Sequence, residues 1–140
     1  MLSNFHRSRS WLRSYADVDG GHVVVADPDE SVFAMVRQLT APDVWRVGYA
    51  ETPGELLRLL RKSRVSLAVV DLSVLDGDPA LADELMSRAR RGLRVVVTTR
   101  EHSEANERRA RLIGPVYYAP KPLNASVFNH VLEGALRAAV

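Results

Sequence analysis

Four places in the 140-residue chain set chemically capable side chains at the ends of short apolar runs. Asp27-Pro28-Asp29 follows residues 23–26, and Asp71 follows residues 65–70. Thr98-Thr99 closes the run that begins at Arg94, and Lys121-Pro122 comes just after residues 116–119. Acids, a hydroxyl and a lysine can form one site if the chain brings these run ends together. A carboxylate there can act as a nucleophile or hold a hard cation, and a lysine or hydroxyl can stabilise charge on oxygen.

The elements between these points decide whether they meet. The runs at 23–26, 65–70, 94–98 and 116–119 are rich in valine or tyrosine, as strands buried on both faces of a parallel sheet should be. Residues 44–50 form a weaker candidate strand, interrupted by Arg46 and Gly48. Helical patterns separate the runs. Val32, Met35, Val36 and Leu39 share one face behind a candidate N-cap at Asp29. Thr52-Pro53-Gly54-Glu55 reads as a capping box with proline at the first helical position, followed by Leu56, Leu57, Leu59 and Leu60. Asp78-Pro79 opens a third helix carrying Leu81, Leu85 and Met86. Ser103 opens a fourth, which Gly114 ends. Asn124 caps a fifth, expected to turn Val127, Val131, Leu132 and Ala135 inward. Five βα units imply a parallel sheet with helices on both sides and right-handed crossovers. The functional crevice of such a sheet lies at the carboxyl ends of its strands.

Composition narrows the function. The 19 basic and 17 acidic residues leave a net charge of +2, without the concentrated basic face that direct nucleic-acid binding requires. There are no cysteines, so disulfides, thiolate metal sites and cysteine nucleophiles are excluded. No apolar run is long enough to span a membrane, no secretory signal is evident, and a cytoplasmic location is expected. His6, His22, His102 and His130 lack metal-ligand spacing, and no glycine-rich nucleotide loop occurs. Residues 1–20 read as a tail or short extra helix, and 21–140 as one domain.

The segment Leu67-Ala68-Val69-Val70-Asp71-Leu72-Ser73-Val74-Leu75-Asp76-Gly77-Asp78 resembles the phosphoacceptor segment of response-regulator receiver domains. Residues 22–29 resemble the acidic first loop of that family, and Tyr117-Tyr118-Ala119-Pro120-Lys121-Pro122 its Lys-Pro segment. Thr99 precedes Lys121 by the family's usual gap. The resemblance, from Gly21 onward, implies a flavodoxin-like, doubly wound five-stranded sheet of order 2-1-3-4-5 with five helices. It implies a signalling module rather than an enzyme, phosphorylated on Asp71 by a histidine kinase or phosphotransfer protein. Asp71 would be nucleophile and ligand to a weakly held magnesium ion. Asp27 and the Ser73 backbone carbonyl would be further ligands, with Asp29 as an alternative. Lys121 and Thr99 would contact phosphoryl oxygens, and Thr99 and Tyr118 would form the switch. The Lys121-Pro122 bond is expected to be cis, aiming the lysine at Asp71. The fourth helix, fifth strand and fifth helix would offer a homodimer face bearing Glu104, Glu107, Arg108, Arg109 and Arg111.

The chain departs from the family in three places. Pro28 fills the place of a second acid, Leu75 stands where proline is frequent, and Arg100 follows the switch hydroxyl in place of a small residue. Pro28 and Arg100 favour an alternative, a degenerate receiver that docks or dimerises without phosphorylation. Asp27-Pro28-Asp29 also matches, formally, the Asp-x-Asp of haloacid-dehalogenase-like phosphatases, a more distant reading. Each residue has a plainer role available too: capping for Asp27, Asp29 and Asp71, strand formation for Thr99, and edge packing for Tyr118. No output domain is expected within these 140 residues, so a separate partner, or a longer parent protein, is expected to read the state.

Overall fold

The computed structural model describes residues 21–40, 44–76 and 78–139. The expectation of a tail or extra helix at 1–20 lies outside them. Five parallel strands form one sheet: β1 Gly21–Ala26, β2 Trp45–Tyr49, β3 Val65–Asp71, β4 Arg94–Thr99 and β5 Tyr117–Pro120. Their order is β2-β1-β3-β4-β5, as expected of the doubly wound fold. The described helices are α1 Glu30–Leu39, α2 Pro53–Lys62, α3 Leu72–Leu75, α4 Pro79–Arg90, α5 Glu104–Arg111 and α6 Ala125–Ala139. The sequence reading of five helices missed α3, a single turn directly after Asp71. Four residues are too few to show a helical period, and the turn forms because Asp71 caps it by accepting the Ser73 N–H.

The caps named from sequence hold the other helices. Asp29 accepts from the Ser31 N–H, Thr52 from Glu55, Asp78 from Leu81, and Ser103 from Asn106. Asn124 accepts from Val127 at 3.0 Å. The Thr52 box is modified, because the Glu55 carboxylate reaches back to the Glu51 N–H and not to that of Thr52. Gly114 has φ +84°, the left-handed conformation that turns the chain after α5 toward β5.

Strand alternation divides the core into two layers. Val24, Ala26, Ala68, Val70, Val95 and Val97 pack with Leu56, Leu59 and Leu60 of α2, Leu81 and Leu85 of α4, and Ala110 of α5. On the other face Val23, Val25, Leu67, Val69, Val96 and Ala119 pack with Val32 and Val36 of α1 and Phe128, Leu132, Ala135 and Leu136 of α6. The expected inward face of α6 is therefore corrected: Val127 is 43% exposed, whereas Phe128 is 1% exposed. Both residues fit a 3.6-residue period with Val131 or Leu132, and the larger aromatic ring takes the core position because its burial removes more apolar area from water. Among the described residues no helix is long and apolar enough to cross a membrane.

Candidate functional site

The register brings two acids together. Ala26 pairs with Val70 across β1 and β3, so Asp27 and Asp71 leave adjacent strands side by side. They lie at the switch point, where β1 stands between β2 and β3. Asp71 pairs with Thr98 and Thr98 with Ala119, which extends the same edge toward Lys121. Asp27, Asp71 and Thr98 continue the alternation of Val25, Val69 and Val96, so their side chains emerge on the α1/α6 face.

Lys121 joins the two acids. Its ammonium lies 2.8 Å from Asp27 Oδ1 and 3.2 Å from Asp71 Oδ1, with Asp29 Oδ2 at 4.0 Å. The Lys121-Pro122 bond is cis, as expected, and the lysine points at Asp71. Asp71 accepts four contacts: the Ser73 N–H at 3.1 Å and hydroxyl at 2.5 Å on Oδ2, the Thr98 hydroxyl at 2.9 Å and Lys121 on Oδ1. Burial pushes the Asp71 pKa up, but the bonds from Ser73 and Thr98 and the Lys121 charge outweigh it and hold it below the usual carboxylate range. For Lys121 burial acts to lower the pKa, while Asp27 and Asp71 overcome it and raise the value above that of a free lysine.

The remaining expected residues are placed less centrally. Asp29 caps α1, accepting the Ser31 N–H and hydroxyl at 3.0 and 2.6 Å, and these bonds hold its pKa low. The Ser73 carbonyl accepts the Asp76 N–H that closes α3, and a carbonyl oxygen carries two lone pairs. Thr99 continues the alternation of Val95 and Val97 onto the opposite face, where its hydroxyl donates to the Glu101 carbonyl at 3.0 Å. Tyr118 shares that face, with its hydroxyl 3.1 Å from His102 Nδ1. Neither reaches Asp71 in this structure. Pro28 and Arg100 are exposed, and Leu75 is buried against the α2/α4 layer.

Sequence reasoning passed over one residue. Thr98 is fully buried, and its hydroxyl lies 2.7 Å from Asp27 Oδ2 and 2.9 Å from Asp71 Oδ1. Spacing to Lys121 singled out Thr99. The signal for Thr98 was a hydroxyl one step inside the strand, but its face depended on the register with β3.

The donor chemistry fits magnesium. Among the described residues no cluster of three or more His, Cys, Asp or Glu side chains could cage a metal ion. Magnesium does not need such a cage: one or two carboxylates suffice when water and phosphate complete the shell. Asp27 and Asp71 would supply those carboxylates and Ser73 its backbone carbonyl.

No family model matches the chain, and no curated protein resembles it significantly in sequence. Solved structures do resemble it. The signal receiver domain of an HD domain-containing protein from Pseudomonas fluorescens Pf-5 is 19% identical, with a TM-score of 0.72 over 86% of this chain and 98% of that one. A response regulator receiver domain protein from Methanospirillum hungatei JF-1 is 20% identical, with a TM-score of 0.69 over 86% and 97%. A response regulator from Thermotoga maritima is 17% identical, with a TM-score of 0.68 over 85% and 99%. At these identities the likeness is one of fold. It covers nearly the whole length of each of these proteins: the chain has the flavodoxin-like fold of response-regulator receiver domains.

Proposed function

We propose that this domain is a phosphoacceptor receiver of two-component signal transduction, accepting a phosphoryl group on Asp71 from a histidine kinase or phosphotransfer protein in the cytoplasm. The observation that carries the reading is the buried Asp71 carboxylate at the end of β3, beside Asp27 and bound to the Lys121 ammonium. An Asp71 oxygen attacks phosphorus, and an O–P bond forms as the P–N bond of phosphohistidine breaks. The electron pair of the breaking bond returns to the imidazole nitrogen. Little covalent work falls to the protein, and the task is positioning and charge neutralisation. Lys121 already sits where it can hold a phosphoryl oxygen. Bound magnesium would neutralise further charge there, with Asp27, Asp71 and the Ser73 carbonyl as its protein ligands. Thr99 and Tyr118, together on the far face of the sheet, form the switch that carries the change to a protein-interaction surface on α5, β5 and α6. That surface is also the proposed homodimer face, and Leu112, Val116 and Val127 on and beside these elements are exposed.

The test is direct. The protein is incubated with acetyl phosphate and magnesium, and its intact mass is followed. One acid-stable, base-labile phosphoryl group is expected, and Asp71→Asn should remove it while the circular dichroism spectrum is kept. Undiminished labelling of the variant would overturn the assignment. Pro28 and Arg100 support a second reading, a phosphorylation-independent docking or dimerisation module. Absence of magnesium binding together with absence of labelling would favour it.

A further inference from the structure

We infer that Thr98 is a positioning residue of the acid pocket, its hydroxyl pinning Asp27 and Asp71 in the orientation from which they accept a cation. The inference rests on the receiver reading of the pocket and goes beyond it, because spacing, capping and charge all pass Thr98 over. A valine at this position would continue the run Val95-Val96-Val97 and suit the strand equally well. What the threonine adds is a hydroxyl with no exposed surface, 2.7 Å from one carboxylate and 2.9 Å from the other. A buried hydroxyl is costly unless it is bonded, and here both partners are the two acids of the pocket.

The proton count matters. Thr98 has one O–H, so it donates fully to only one carboxylate at a time. Lys121 contacts Oδ1 of both acids, so two carboxylates share one ammonium, and their other donors are neutral: the Thr98 and Ser73 hydroxyls and the Asp29 and Ser73 N–H groups. The acids are thus held close together and remain one positive charge short. A divalent cation entering beside them meets carboxylates already fixed in place. Hydrogen-bond partners that fix ligating carboxylates in this way typically set metal affinity by about 10- to 100-fold. Thr98 acts through Asp27 and Asp71 and touches neither metal nor phosphoryl group itself.

The test compares Thr98→Val, which keeps the shape and deletes the hydroxyl, with Thr98→Ser, which keeps the hydroxyl. Two readouts are needed. In metal-free protein the amides of Asp29 and Ser73 donate to the Asp27 and Asp71 carboxylates at 2.9 and 3.1 Å, so their NMR resonances report how those groups are held. Magnesium titration by calorimetry then reads affinity. Thr98→Val should shift both amide resonances and weaken magnesium about 10-fold, and Thr98→Ser should restore both. Unchanged amides and an unchanged magnesium isotherm in Thr98→Val would overturn the inference. So would equal loss in the two variants, because shape and not the hydroxyl would then be responsible. The receiver reading fails separately, if the unaltered protein neither binds magnesium nor acquires a phosphoryl group from acetyl phosphate.

Discussion

Deleting the Lys121 ammonium is the most informative single perturbation of the pocket. Lys121→Met keeps an unbranched stem and removes a charge that lies 2.8 Å from Asp27 and 3.2 Å from Asp71. The lysine side chain is 14% exposed, and those of Asp27 and Asp71 are 0% and 4% exposed, so solvent does little to screen the contact. Two unit charges about 4 Å apart interact by about 4 kcal/mol at an effective permittivity of 20. Desolvation opposes that gain, and breaking a buried pair typically costs about 3–5 kcal/mol. We expect a loss of about 3 kcal/mol, the lower bound, because the site opens at an edge of the sheet. A domain of this size holds roughly 5–15 kcal/mol in all, so the variant should still fold.

The pH dependence follows from the directions of the shifts. Asp71 has a depressed folded pKa, so its contribution is present above the unfolded value near pH 4 and is lost as pH falls through the lower folded value. Lys121 has a raised folded pKa, so its contribution is complete below the unfolded value of about 10.4 and is lost as pH rises through the folded one. The deficit of Lys121→Met should therefore be full between about pH 5 and 10 and shrink below about pH 4, as pH falls toward the depressed Asp71 value. Urea denaturation followed by circular dichroism at several pH values measures it. Labelling by acetyl phosphate should fall further than stability does, by about 100-fold or more, the usual loss when a charge-stabilising donor is deleted. A variant as stable as the parent from pH 5 to 9, or a deficit independent of pH, would refute the electrostatic account.

Pro28→Asp supplies the acid missing from the first loop and should tighten magnesium binding from about the millimolar range. Superimposable calorimetric titrations would mean that Asp29 already serves or that no metal binds. A weak homodimer through α5, β5 and α6 should dissociate in high salt. Its charges are partly committed within the protomer, since Arg111 pairs with Glu107 at 2.6 Å and Arg109 with Asp76. A monomeric mass by sedimentation at high concentration and low salt, with and without acetyl phosphate, would exclude it. Phe128→Ala should cost about 3–5 kcal/mol in urea denaturation, whereas Val127→Ala should cost under about 1 kcal/mol. Equal losses would contradict the observed orientation of α6.

By itself the sequence determined the alternation of strands and helices, because buried valine runs and N-capping side chains act within a few residues of one another. It placed Asp27, Asp71 and Lys121 at strand ends, and a parallel sheet requires such ends to lie on one edge. It could not choose between Thr98 and Thr99. Val95, Val96 and Val97 are apolar on both faces of β4, so no alternation in the string says which face either threonine takes. The pairing of Asp71 with Thr98 settles that, and such a register exists only between strands. The inward phase of α6 was equally silent. Val127 and Phe128 both begin acceptable apolar stripes, and the fit of the phenylalanine ring against the layer of Val25, Val69 and Val96 decided between them. Local capping and periodicity are written in neighbouring residues, whereas register and helix rotation depend on surfaces that meet only when the chain is folded.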